Sequence, residues 1–331
     1  MDFRFTEEQT SLRDHVRGFL NETHTPERLR KLDAAGGRDD DIWAGLKELG
    51  LCGLLVAEDQ NGLGLGLVEG ALIGVELGRA NVSEPIVDTA LVAAPFLARR
   101  GGAGDLLARI AAGDSRVALA DAINPWIADL DVADAVITHG AAAEPPAQTA
   151  GRLLSIDPLR RLFVRGALGG EDSLLRDLAA LMSAAQLVGA AERMLDMATA
   201  YACTREQFGQ PIGAFQAIKH HCATVAVQIE FARPALWRAA YAAEHGHARA
   251  PIHISAAKLA AGDAALLAAE TAIQVHGAMG YTYEVDLHYW MKRSWALIGA
   301  WGDRAFHLKK LDDAVLGDGI ILGPDTTFNS E

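Results

Sequence analysis

The stretch Thr204-Arg205-Glu206-Gln207-Phe208-Gly209-Gln210-Pro211-Ile212-Gly213-Ala214-Phe215-Gln216 lies between two long Ala-rich segments. Gly209, Pro211 and Gly213 break the first of these as a helix and let the backbone turn. Arg205 brings a planar fork of N–H donors suited to a phosphate or pyrophosphate. Phe208 sets a flat apolar ring beside that fork, and Gln216 places a two-way hydrogen-bonding amide near the start of the next helix. The same residues would also serve as an αα-corner with a solvated Arg.

On either side of this corner the periodicity is helical. Upstream, Leu175, Leu178, Leu181, Met182, Ala185, Val188, Met194, Leu195 and Met197 form a long apolar stripe after Asp172. Downstream, Ala214 to His245 reads as a second long helix, with Pro234 expected to kink it. Pro251 suits the first turn of a third helix running to about His276, and a last helix spans about Asp303 to Leu316. Four long helices with short connections predict an antiparallel bundle.

The first third is also helical. Thr6-Glu7-Glu8-Gln9 is a capping-box pattern, a second helix starts at Pro26, and a third, Ile42 to Leu49, stops at Gly50. Gly62-Leu63-Gly64-Leu65-Gly66 lacks the preceding strand and following Lys of a phosphate loop and reads as a connection before a helix over Leu67 to Arg79. Helices over Glu84 to Arg99 and Asp105 to Ala112 follow. Between these blocks, short apolar runs at 117–120, 135–138, 152–156 and 162–164 predict strands, with Ala141 to Pro146 as a loop. The expected fold is mainly α with a small β insert. Its parts are a helical domain over 1–112, a reduced β-domain over 113–170 and a bundle over 171–331.

With 331 residues, 50% hydrophobic, the chain can build a large core. Its net charge of -13 argues against nucleic acid as partner. Cys52, Cys203 and Cys222 show no paired spacing and indicate a reducing interior. The N-terminus is charged from Asp2 and is no signal peptide, and the most apolar run, Thr89 to Ala98, is too short to cross a bilayer. A cytoplasmic protein without a membrane partner is expected. His220-His221, His276 and His288 do not form a ligand set at metal spacing, so no metal site is expected.

A second constellation, Gln274-Val275-His276-Gly277-Ala278-Met279-Gly280-Tyr281-Thr282, ends the third long helix. Its glycines let a ligand approach the backbone, although it would equally serve as a C-cap and turn. Together with 204–216, with LKELGLCGLLVAEDQNGLGLG at 46–66 and VELGRA at 75–80, this makes the chain resemble the acyl-CoA dehydrogenase family over nearly its whole length. The resemblance implies an N-terminal helical domain, a middle β-domain and a C-terminal four-helix bundle. It also implies FAD as cofactor and an acyl-CoA substrate that loses a proton α to its thioester and a hydride from Cβ. In the family the corner and the helix end contact FAD bound mainly to a neighbouring subunit. The positions carried over are Arg205, Phe208, Gln216, Gln274, His276 and Gly277, with Ala278 in place of a usual glycine.

Other family features are not recognisable. The flavin-covering T-E-P-type segment corresponds to Leu119-Ala120-Asp121-Ala122-Ile123-Asn124-Pro125-Trp126 and is not reproduced. The W-I-T-N-type strand is missing too. The family's catalytic Glu falls near Ala300 or, in its alternative position, near Ala179, and alanine cannot abstract a proton. Asp303 and Asp177 are the nearest acids; Asp303 reads as an N-cap and Asp177 as a solvated helix charge.

Residues lent to a neighbour's flavin are thus kept, and those serving the chain's own flavin are lost. The pattern resembles the small subunit of α2β2 enzymes that shorten steroid side chains, which implies a full-length dehydrogenase as partner and an electron-transfer flavoprotein or similar acceptor. The alternatives are a self-sufficient homomeric enzyme with Asp303 or Asp177 as base, and a flavin-free stabilising subunit.

Overall fold

The computed structural model describes residues 3–101, 103–138, 141–145, 151–168 and 170–317. Met1, Asp2, Pro146, Gly169 and the last part of the 171–331 block lie outside these. Helix α1 (Glu7–Thr23) opens on the expected box: the Thr6 hydroxyl accepts from Gln9 N–H at 3.2 Å and the Gln9 side chain accepts from Thr6 N–H at 2.9 Å. Helices α2 (Pro26–Ala34) and α3 (Asp40–Glu48) follow, and α3 ends before Gly50 at φ +75. The glycine-rich segment leads into α4 (Leu67–Ala80), where Glu69 accepts from Gly66 N–H at 2.9 Å.

The helix expected over 84–99 is split. A π-helical turn, Val87–Ala93, precedes α5 (Ala94–Arg100), which carries Pro95 in its first turn. Proline has no N–H for the carbonyl four residues back, and its ring crowds that carbonyl; the wider turn just ahead relieves both problems. Helix α6 (Gly104–Ala111) completes the block.

The β insert forms two small sheets. In one, β1 (Val117–Leu119) pairs in parallel with β3 (Ala135–Thr138), and β3 pairs antiparallel with β4 (Ala141–Ala143). In the other, the order is β2 (Trp126–Ala128), β6 (Leu162–Val164), β5 (Arg152–Leu153), all antiparallel. The alternation of β1 explains the layering: Val117 and Leu119 join the main helical core, while Ala118 packs with Ile127, Val136 and Phe163 in a second, smaller core. The expectation of a loop at 141–146 is corrected, since its first three residues are β4, and β2 was not foreseen.

The rest is α7 (Ser173–Thr204), a hairpin of β7 (Glu206–Gln207) and β8 (Gln210–Pro211), α8 (Gln216–Glu244), α9 (Ala250–His276), α10 (Leu287–Gly299) and α11 (Arg304–Leu316). Helix α8 continues through Pro234. By length and composition α7 and the stretch Ala250–Tyr281 could each cross a bilayer, two candidates the sequence reading did not name. Their apolar windows are 83% and 50% buried inside the protein, so core packing accounts for that character.

Helix α10, absent from the expected bundle, binds the ends together. The Trp290 indole N–H donates to Arg79 O at 2.8 Å, and Arg293 donates to Val82 O at 2.9 Å. Contact between the first block and the bundle is backbone to backbone: a Cβ on Gly78 or Gly189 would lie within the van der Waals shell of Gln186 O or Val75 O.

Candidate functional site

Helix α7 stops at Thr204, where Arg205 N–H still donates to Tyr201 O at 2.8 Å. The chain then makes a two-residue hairpin whose turn residues both have positive φ, Phe208 at +53 and Gly209 at +80. Glycine adopts this freely; for Phe208 it costs about 1–2 kcal/mol. The ring is nevertheless 92% exposed, touching Phe215 edge-on with centroids 6.1 Å apart. Arg205 and Gln216 are also exposed, and among the described residues the Arg205 guanidinium makes no ion pair. Helix α8 has no side-chain cap at Phe215, so its first N–H groups are open to an anion.

The second motif closes α9. His276 is buried: its ring stacks on Tyr201 with centroids 4.4 Å apart, and Nδ1–H donates to Ala272 O at 2.7 Å. Tyr201 O–H donates to the Met279 sulfur at 3.7 Å. Tyr201, one turn before Arg205, therefore joins the two motifs at one end of the bundle, a role the sequence reading missed. Gln274 and Gly277 are exposed, and a Cβ on Gly277 (φ +61) would meet nothing within 4 Å. Of the expected residues, His276 alone is turned inward.

The two expected base positions lead elsewhere. Ala179 of α7 and Trp301, next to the buried Ala300, line one inner cavity of about 50 Å³. Neither expected acid reaches it. Asp303 caps α11, accepting from Phe306 N–H at 2.9 Å. Asp177 is not solvated: it is buried and paired with Lys310 at 2.8 Å, a correction that follows from the Lys310 side chain of α11 reaching the start of α7.

Other charges surround the cavity. Asp88 comes from the π-helical turn, Asp129 (φ +52) follows β2, and Arg160 precedes β6. Arg160 lies over the Trp126 ring, 4.1 Å from its centroid. Arg293 of α10 pairs with the fully buried Asp157. Burial pushes Asp88 up to about 6, against the attraction of Arg160 and Arg293. Burial also pushes Asp129 up to about 7, and the Asp88 charge adds to that. None of these residues stood out in the sequence. The cavity has room for a few waters; pockets for drug-sized ligands run to roughly 300–1,000 Å³.

Within the segment Leu119–Trp126, Asp121 and Asn124 are turned inward. Asp121 is fully buried and accepts from Ile123 N–H at 2.9 Å, Asp172 N–H at 3.0 Å and Arg176 at 3.0 Å. Asn124 accepts from Trp301 N–H at 3.1 Å. These groups wire the β insert to the bundle.

Residues 6–103 match the acyl-CoA dehydrogenase N-terminal domain and residues 177–311 the acyl-CoA dehydrogenase C-terminal domain. The acyl-CoA dehydrogenase IpdE2 of Mycobacterium tuberculosis is 34% identical over 297 residues, covering 87% of this chain and 91% of that protein. A chain of the ChsE4-ChsE5 complex from Mycobacterium tuberculosis superposes with a TM-score of 0.85 at 25% identity, covering 97% of this chain and 100% of that one. A chain of the Tcur3481-Tcur3483 steroid ACAD G363A variant does so with a TM-score of 0.81 at 25% identity, covering 94% and 98%.

Proposed function

The chain belongs to the acyl-CoA dehydrogenase family, whose members are FAD-dependent flavoproteins, and from that premise we propose that it is the flavin-completing subunit of a hetero-oligomer. Its partner is a full-length dehydrogenase that carries the reactive ring and the proton-removing carboxylate. The observation that carries this reading is the contrast between two places. The corner offers a guanidinium without an ion pair among the described residues, an exposed ring held in place and an uncapped helix start, all fit for the pyrophosphate end of a cofactor reaching in from another chain. The inner cavity, at about 50 Å³, does not fit a flavin ring stacked on a thioester.

In this arrangement Arg205 and the start of α8 neutralise phosphate charge. Phe208 covers an apolar face, and Gln216, Gln274 and Gly277 supply hydrogen bonds and close backbone approach. His276 acts from beneath, fixing Tyr201. FAD, when bound, supplies the acceptor for the hydride leaving Cβ of the acyl-CoA. Neither Ala300 nor Ala179 can take the α-proton, so that step falls to the partner. Two of the structural relatives are named for two-part assemblies, one of them a steroid ACAD, which supports a paired subunit and a bulky steroid side-chain CoA ester as substrate. An electron-transfer flavoprotein or similar carrier would reoxidise the flavin.

A second reading has one observation in its favour. Asp88 and Asp129, with pKa values raised toward neutrality, line the inner cavity and would suit a general base in a self-sufficient enzyme. One experiment separates the two. The chain is purified alone and after co-expression with a full-length dehydrogenase, and flavin content and acyl-CoA oxidation are measured. Flavin and activity only in the pair are expected. A yellow, active protein from this chain alone would overturn the proposal.

A further inference from the structure

Helix α9 buries a lysine inside the bundle. Lys258 is 3% exposed, and its Nζ donates to Leu297 O near the end of α10. An ammonium has three protons to give, and among the described residues no carboxylate lies within 4.0 Å of this one. Burial, with the Arg160 charge adding to it, lowers the Lys258 pKa to about 7, so much of the amine is uncharged near neutrality. The residue lines a second cavity, of about 70 Å³, which shares no lining residue with the one beside Asp88 and Asp129. Leu259, Gly262 and Leu266 of α9 and Ile298 of α10 make its apolar sides. At its outer rim the exposed Asp263 of α9 and Arg304 of α11 form an ion pair. His307 of α11 lines it as well and is 1% exposed: Nδ1 lies 3.1 Å from Ser255 Oγ, while Nε2 is buried without a hydrogen-bond partner. A buried polar atom left open in this way needs water or a ligand.

We propose that this cavity is a capture site for a short aliphatic aldehyde, held covalently as an imine on Lys258 Nζ, between the apolar walls of α9 and α10 and the open nitrogen of His307. A lysine desolvated in an apolar pocket, without an acidic partner, is the setting in which a side-chain amine attacks carbonyl carbon. Nζ adds to the carbonyl carbon and an N–C bond forms. The carbonyl oxygen then departs as water, carrying both amine protons, and C=N replaces C=O; nothing is oxidised or reduced. The apolar sides suit a short alkyl chain, and the volume admits a few waters or a molecule of a few heavy atoms. The rim joins this buried end to exposed residues, so a small molecule has a short way in. The site uses neither the corner at 204–216 nor a flavin and stands apart from the function proposed above.

The test uses the full wild-type chain, so no variant has to fold. It is incubated near neutral pH with acetaldehyde and cyanoborohydride, which reduces an imine to a stable secondary amine, and its peptides are read by mass spectrometry over time. Lys258 is expected to gain one ethyl group at least about tenfold faster than the exposed Lys219 and Lys309, since an ordinary lysine, with a pKa of about 10.4, holds far less free amine. Naphthaldehyde, too broad for the cavity, should label Lys219 and Lys309 and leave Lys258 untouched. In urea-unfolded chain the preference for Lys258 should vanish. Labelling of Lys258 by acetaldehyde no faster than that of the two exposed lysines overturns the proposal. So does equal labelling by both aldehydes, or a preference that survives unfolding. The readout needs neither flavin nor a partner chain, so its failure leaves the proposed function standing.

Discussion

Asp129→Asn isolates the cost of charge in the inner cavity. Asparagine is nearly isosteric with aspartate and tolerates the φ of +52 found there, so the backbone need not move. Burial, reinforced by Asp88, lifts the Asp129 carboxyl from its usual 3.8 to about 7. The folded state therefore holds this proton more tightly than the unfolded chain does. Stability from this group is full below pH 3.8, falls as pH rises through the window up to about 7, and is flat above it. A rise of that size corresponds to about 4 kcal/mol as an upper figure, since each tenfold gain in proton affinity is worth about 1.4 kcal/mol. Because Asp88 titrates in the same cavity, the two carboxyls release their protons as a pair. Urea unfolding of wild type and variant at several values between pH 5 and pH 8 measures the effect. The variant is expected to be more stable at pH 8, by about 2–4 kcal/mol, with the gap narrowing toward pH 5. A variant less stable than wild type at pH 8, or a gap that does not change with pH, would refute the reasoning.

The other predictions concern packing, the buried ion pair and the corner. Gly189→Ala forces a methyl onto the Val75 carbonyl where α7 crosses α4, and should cost about 3 kcal/mol in denaturant unfolding; a neutral result would mean the two helices can separate. Arg293→Met strands the fully buried Asp157 and frees Val82 O, and should cost about 3–5 kcal/mol at pH 7 in the same assay. Arg205→Ala should leave the melting temperature of the isolated chain unchanged. In the co-expressed pair it should weaken flavin binding by about 2 kcal/mol, roughly thirtyfold, measured by equilibrium dialysis. Unchanged flavin affinity would favour a purely stabilising subunit.

The features readable in the sequence were those encoded locally. Thr6, Gly50 and Asp303 mark helix ends because a cap depends on residues within one turn. The corner at 204–216 announced itself through Gly209 and Pro211. Strand β4 escaped because Ala141, Ala142 and Ala143 have no strand preference of their own; pairing with β3 makes them a strand. Strand β2 is only Trp126, Ile127 and Ala128, directly after a proline. Helix α10 escaped for the opposite reason to a surface helix. His288, Tyr289, Trp290, Met291, Arg293 and Ser294 are all buried, so polar and charged residues interrupt the buried side that an apolar stripe would mark. The cavity cluster draws on Asp88, Asp129, Arg160 and Arg293, separated by tens of residues and joined only by the fold. Tyr201 carries no signal of its own in the sequence, yet it is the piece on which the two motifs meet.

The hairpin that holds Phe208 has a kinetic corollary. Its left-handed backbone is settled while the chain folds, so the ring stands ready before any nucleotide arrives. No slow rearrangement of this loop should follow the encounter. Cofactor capture by the assembled pair ought to register in stopped-flow fluorescence as one exponential whose rate climbs linearly with cofactor concentration, the timing being set by diffusional encounter alone.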